Sequence, residues 1–266
     1  MPLLSAVLCG LVCASNALTV GPAAHPLFSL SLAKQPKNVQ KVITSGDVSG
    51  LKDLKGFVVS LPLSRADRER ALAALKRDDV RQHAALTAAE CDALVAWAAP
   101  RLHADLDSVD GAPSYQTTVA AADLAALCPS LDGLLAPAAE LLGAAGPAAL
   151  NWTAFVRRYS AVTRPRLPFH CDTSDVSTSV ALSTGYAGGD LLLLSNGGVV
   201  KAARKKGAAT HHSADVAHAV SDVKSGERWS LVLFHHRKGG KRAGKRSAAA
   251  GPAVDPASLP PARGFG

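Results

Sequence analysis

The sequence predicts an α+β protein, an antiparallel jelly roll buttressed by N-terminal helices, and three observations carry that expectation. Helical periodicity is confined to the residues before Asn151, whereas the chain after it breaks into short β-prone runs punctuated by Gly185, Gly188, Gly189, Gly197, Gly198 and Gly226. Helices and strands do not alternate, which argues against a parallel doubly wound sheet. At 266 residues, 48% hydrophobic and only 5% aromatic, the chain can bury one sizeable core built from small aliphatic side chains.

The elements follow in order. Met1 to Val12 is apolar but too short to span a bilayer, which takes roughly 20 apolar residues. Ser15-Asn16-Ala17 behind it has the small-x-small form of a cleavage site. Residues 1–17 are therefore read as a signal peptide, and the chain as a secretory-pathway protein of the endoplasmic reticulum or the exterior. Lys34, Lys37 and Lys41 follow in an acid-free stretch, so an organelle-directing element behind the signal is the alternative destination. Residues 18–83 read as an N-terminal arm, extended with a strand or two up to about Pro62. Its closing helix, Ser64 to Leu75, carries Ala71, Leu72 and Leu75 on one face.

Thr87-Ala88-Ala89-Glu90 is a capping box, and Leu94, Val95, Ala98 and Leu102 recur behind it at helical spacing. Further helices are expected over Ala120 to Leu127 and Leu131 to Leu142. Strands are expected over Phe155 to Ser160, Ser177 to Ser183, Asp190 to Ser195, His218 to Ser221 and Trp229 to Phe234. Residues 237–266, rich in Gly, Ala and Pro, read as a disordered tail.

The net charge of +8 sits mostly in that tail, where Arg237, Lys238, Lys241, Arg242, Lys245 and Arg246 supply +6 without one acid. This pattern fits a solvated extension that contacts polyanions electrostatically, with no specific nucleic acid expected as partner. The five cysteines form no zinc-type pair and no disulfide framework. Nothing resembles a phosphate-binding loop.

His170-Cys171-Asp172 places an imidazole and a carboxylate at i and i+2, which on a strand leave the same face. His103-Ala104-Asp105 has the same spacing but is expected at the end of the capped helix, where such residues diverge. His218 follows His170 by 48 residues, and Arg228 follows His218 by ten, across a turn at Lys224 to Gly226. Two histidines and one carboxylate can hold Fe(II) on one face of an octahedron, and a guanidinium can clamp a carboxylate bidentately. His211 and His212 are rivals to His218 as the third ligand. His235 and His236 adjoin the tail and are expected on a solvated surface.

Tyr159, His170-Cys171-Asp172, Gly185-Tyr186-Ala187-Gly188-Gly189-Asp190-Leu191 and His218 with Arg228 resemble the 2-oxoglutarate and Fe(II)-dependent dioxygenases, most closely the prolyl 4-hydroxylase branch. Leu86 to Leu94 is similar to that branch's opening helix, and Ser114 to Thr118 to the segment after it. The resemblance implies a double-stranded β-helix over residues 84–236. It implies iron held by His170, Asp172 and His218, Arg228 on the distal carboxylate of 2-oxoglutarate, and Tyr159 lining the co-substrate pocket.

It further implies O2 as oxidant, a proline-containing peptide or protein as substrate, and ascorbate as an accessory reductant. The basic loop Lys201 to Lys206 is a candidate dock for that peptide. Arg228 stands where collagen-type relatives usually carry Lys. Nucleic-acid demethylases of the superfamily carry a second Arg six residues on, where this chain has Phe234. A catalytically silent jelly-roll module for acidic polymers is the reading from another class.

Overall fold

The computed structural model describes residues 32–238. The expected signal peptide, and the tail beyond Lys238, lie outside the described residues.

Thirteen strands form two main sheets and a small ribbon among the described residues. The large sheet contains β1 (Val80–Ala84), β2 (His103–Leu106), β3 (Pro113–Val119), β4 (Leu150–Ser160), β6 (Val176–Ala181), β10 (Ala208–Ser213) and β13 (Glu227–Arg237) in the order β1-β10-β6-β13-β4-β3-β2. The second sheet is β5 (Leu167–His170), β11 (His218–Val220), β8 (Leu191–Ser195) and β9 (Gly198–Lys201). The ribbon pairs β7 (Ala187–Gly188) with β12 (Val223–Ser225). From β4 onward the chain passes back and forth between the two main sheets, which is the winding of a jelly roll, and the double-stranded β-helix expected from the sequence is present.

Each sheet buries its outer face under helices. Helices α1 (Lys37–Ser45), α2 (Leu54–Ser60) and α3 (Arg65–Ala74) cover the small sheet, with Val39, Ile43, Phe57 and Ala71 packed on Phe169, Leu192, Leu194 and Ala219. Helices α4 (Ala88–Ala98), α5 (Ala121–Leu127) and α6 (Leu131–Leu141) cover the large one, where Leu94, Leu124 and Leu134 meet Val156, Val180, Leu231 and Leu233. A third apolar cluster, including Leu167, Leu191, Leu193, Val216 and Val220, fills the space between sheets at one end. Burial of both faces explains why β8 reads Leu-Leu-Leu-Leu-Ser without alternation.

The capping box forms as expected. Thr87 Oγ1 accepts from the Glu90 amide at 3.2 Å and Glu90 Oε2 accepts from the Thr87 amide at 2.7 Å. Glu90 Oε1 also accepts from Ser130 N at 2.8 Å, tying the start of α6 to the start of α4.

Two local expectations are corrected. Lys37 to Ser60, expected as an extended arm, forms two helices, because Val39, Val42 and Ile43 recur at helical spacing and have an apolar sheet face to cover. Cluster His103-Ala104-Asp105 lies on strand β2 rather than at a helix end. His103 Nε2 and Asp105 Oδ2 approach to 2.9 Å on an exposed surface. No single helix among the described residues is long and apolar enough to cross a membrane.

Candidate metal centre

His170 ends β5 and His218 begins β11, and the two are register partners in the antiparallel pair. Directly opposed residues on one sheet face bring their side chains together, and the two rings lie 4.2 Å apart between centroids. Asp172, two residues past the end of β5, completes a cluster in which one ligand atom from each residue lies within 4.8 Å of the others. His170 Nε2 is 3.3 Å from Asp172 Oδ1, and His218 Nε2 is 3.6 Å from Asp172 Oδ2. Ser177, on β6 of the opposite sheet, donates its hydroxyl to Asp172 Oδ2 and thereby fixes the carboxylate.

The ring nitrogens away from the cluster are spent on the main chain. His170 Nδ1 donates to the Pro168 carbonyl at 2.8 Å and His218 Nδ1 to the Val216 carbonyl at 3.1 Å. A neutral imidazole held this way turns its Nε2 lone pair toward the cluster, the arrangement metal-ligating histidines show. Two imidazoles and a carboxylate, converging with Asp172 and His218 buried and His170 nearly so, suit a first-row divalent ion such as Fe(II) bound on one face of its octahedron.

Electrostatics agree with that fit. Burial opposes charge on Asp172, but the His218 and His170 rings outweigh it and hold the carboxyl far below the usual carboxylate range. Burial keeps His218 well below its ordinary value. Burial also opposes a proton on His170, yet the hydrogen bond and charge of Asp172 raise its pKa. The carboxylate thus draws a positive charge into the cavity.

A partly open cavity of about 50 Å³ lies beside the cluster, and Tyr159, Arg228, Arg157, Phe155 and Phe234 line it with the three cluster residues. Arg228 is 6% exposed, and its guanidinium carbon lies 5.1 Å from the Tyr159 ring centre. No carboxylate pairs with it among the described residues. A buried, unpaired guanidinium is costly unless an anion completes it. Gly189, with φ +67°, leaves room for it, since a Cβ there would come within 3.0 Å of Arg228 Cδ and 2.8 Å of Val223 Cγ2.

The structure thus brings His170, Asp172, His218, Arg228 and Tyr159 to one cavity. His211 and His212 do lie on a strand, β10, and alternate across it. His212 faces the cavity beside His218, while His211 turns to the outer face, where Thr178 Oγ1 bridges His211 Nδ1 at 2.7 Å and His235 Nε2 at 2.9 Å. His235, expected in solvent, is completely buried, because β13 continues past Phe234 and alternation carries His235 under the helices. The loop cations Lys201 and Arg204 pair with Asp190, and Lys206 pairs with Asp92 at 2.6 Å.

Sequence reasoning missed Arg157 and Ser177. Arg157 sits two residues before Tyr159 on β4 and so shares its face, a signal that was available. Its guanidinium donates to Gln116 Oε1 at 2.7 Å and pairs with Asp107 at 3.1 Å.

No protein-family profile matches the chain, and no curated protein matches it. Among solved structures, a Pseudomonas putida prolyl-4-hydroxylase is similar at 21% identity, with 64% of this chain and 98% of that one covered and a TM-score of 0.47. An oxidoreductase of the 2OG-Fe(II) oxygenase family from Burkholderia pseudomallei matches at 19% identity over 67% and 94% of the two chains, TM-score 0.47. The non-heme alpha ketoglutarate dependent epimerase SnoN from nogalamycin biosynthesis matches at 15% identity over 65% and 84%, TM-score 0.46.

Proposed function

We propose that this protein is an Fe(II)- and 2-oxoglutarate-dependent dioxygenase that hydroxylates prolyl residues of a peptide or protein. The observation that carries the reading is the convergence, in one cavity, of the His170, Asp172 and His218 donors with an Arg228 guanidinium that has no carboxylate partner among the described residues. Bound there, ferrous iron would supply the oxidant from O2 while 2-oxoglutarate is converted to succinate and CO2.

The chain's own residues do the positioning. Arg228 offers two parallel N–H groups to the distal carboxylate of the co-substrate, and burial strengthens that charge-assisted pair. Tyr159, packed under Arg228, limits where the guanidinium can swing. Ser177 orients Asp172, and the Pro168 and Val216 carbonyls orient the two imidazoles. Phe155 and Phe234 meet edge to face at 5.3 Å on the cavity wall, an apolar surface that keeps water out and suits a pyrrolidine ring, which supports the prolyl reading. The motif resemblance to prolyl 4-hydroxylases supports it too.

Anaerobic addition of Fe(II) and 2-oxoglutarate is expected to produce a visible charge-transfer band. With O2 and ascorbate, proline-rich peptides are expected to gain one oxygen by mass as succinate forms. Succinate release that survives both His170→Ala and Asp172→Ala would remove the ligand assignment. An active enzyme that leaves every proline-rich peptide unchanged would remove the prolyl substrate.

A further inference from the structure

We propose that His83, His211 and His235 form an acid-opened latch beneath helix α6, in which protons on His211 and His235 release that helix from the large sheet. The helix lies across β10 and β6 and carries Pro137 in its interior. Proline has no N–H to give the carbonyl four residues back, which here is that of Gly133. His83, on β1, supplies the missing donor: its Nε2 lies 3.0 Å from the Gly133 oxygen, which can only accept. A ring on the sheet thus completes the hydrogen bonding of the helix above it. The helix has no side-chain cap at Ser130, and apart from Leu134 and Leu135 it buries only Ala138 and Ala139. Few buried apolar groups and an interrupted hydrogen-bond ladder mark the covering element that opens at the least cost.

Beneath the helix the latch continues across the sheet, on the face opposite the metal donors. His83 stacks on His211, with ring centroids 5.0 Å apart and planes 5° apart. His211 Nδ1 and His235 Nε2 then share one hydroxyl, Thr178 Oγ1, at 2.7 and 2.9 Å. Thr178 has a single proton, so it donates to one ring and accepts from the other. The remaining nitrogens, His211 Nε2 and His235 Nδ1, are buried and meet no partner among the described residues. A cationic ring carries an N–H at that position with nothing to accept it, and two cationic rings would leave Thr178 no nitrogen to donate to.

The surroundings offer no compensating charge. No carboxylate pairs with either ring among the described residues. The titratable chain neighbours are His212 on β10 and His236 on β13, the latter 3.8 Å from Asp175. On β1, Arg81 shares the face of His83 and pairs with Asp78 at 3.2 Å. On β13, Arg237 shares the face of His235 and donates to the Leu142 carbonyl. Strand β6 adds no titratable side chain, and β4 places Trp152 opposite His235. Asp132 and Glu140, the acids of α6, are exposed. Burial, with smaller contributions from His83, His235 and His212, lowers the pKa of His211 from 6.5 to about 3, and burial lowers that of His235 to about 4. Both rings regain their ordinary value once the helix lifts. The closed state is therefore favoured at neutral pH and loses ground as the pH falls from 6.5 toward about 4.

Hydrogen–deuterium exchange on full-length protein at pH 7.5 and pH 5, corrected for intrinsic rates, tests the latch. The opening constant of segment 131–141 is expected to rise on acidification by roughly 30-fold for each of the two histidines, well beyond the change in helix α4. His211→Gln and His235→Gln keep polar groups that do not titrate, and each should remove about one such 30-fold factor. His83→Ala, which returns Gly133 to an unpaired carbonyl, should open the segment about fivefold more at both pH values. Exchange that rises equally in α4 and α6 would overturn the latch, as would an acid response of α6 unchanged in both Gln variants. Should a variant fail to fold, titration of the wild-type imidazole protons by nuclear magnetic resonance decides. Rings of His211 and His235 that take up protons near pH 6.5 while α6 stays protected would overturn the proposal.

Discussion

Arg228 and Tyr159 are register partners on β13 and β4, and the guanidinium of one lies over the ring of the other. The pairing fixes the only assigned carboxylate clamp of the cavity against a side chain that cannot move without disturbing the large sheet. Arg228→Gln keeps a donor but loses the charge and the second parallel N–H. A hydrogen bond to a charged group contributes about 1.5–3 kcal/mol, so 2-oxoglutarate should bind roughly 10- to 100-fold more weakly. Calorimetric titration with 2-oxoglutarate reads this directly, and an unchanged affinity would place the co-substrate elsewhere.

Gly189 is required by both its backbone and its neighbours. Its φ of +67° disfavours a side chain, and an added Cβ would press on Val223 Cγ2 and Arg228 Cδ. Gly189→Ala should cost about 1–3 kcal/mol of stability and raise the KM for 2-oxoglutarate more than it lowers kcat. Thermal melting combined with steady-state kinetics separates the two effects. A variant that melts lower with an unaltered KM would show that the glycine serves the turn alone.

Ser177 touches the cluster only through Asp172 Oδ2. Ser177→Ala leaves the three donors in place but frees the carboxylate to rotate, and loss of such an outer partner typically weakens metal binding 10- to 100-fold. The Co(II) dissociation constant is the measurement, and Ser177→Thr, which keeps the hydroxyl, should recover most of the loss.

His235 predicts the response of the fold to acid. Burial, with a smaller contribution from His236, pushes its pKa down from 6.5 to about 4. The unfolded chain therefore binds a proton that the folded protein refuses, and stability falls as the pH drops from 6.5 toward about 4. At pH 5 this one group should cost about 2 kcal/mol. Urea midpoints at pH 7.5 and pH 5 for wild type and His235→Leu provide the check. The variant should be weaker at pH 7.5, where it loses the Thr178 contact, yet lose less on acidification. Parallel loss in both proteins would assign the acid sensitivity to other groups.

The helices over Ser64 to Leu75 and Thr87 to Ala98, and the His170–Asp172 and His218–Arg228 offsets, were legible in the sequence because they depend on local spacing: a capping box, period-2 alternation and a short step across a turn. The link between His170 and His218, 48 residues apart, came from the motif resemblance. What covers each sheet was not. Lys37 to Ser60 became helical because the outer face of β5, β11 and β8 needed an apolar partner, a demand set by residues more than a hundred positions away. Only the tertiary structure decided that His212 faces the His170, Asp172 and His218 cluster while its neighbour His211 faces Thr178, and that His235 is buried. A strand's alternation says that adjacent residues part to opposite faces. Which face is the cavity depends on the register that β10 and β13 adopt against β6, and register is a property of the assembled sheet.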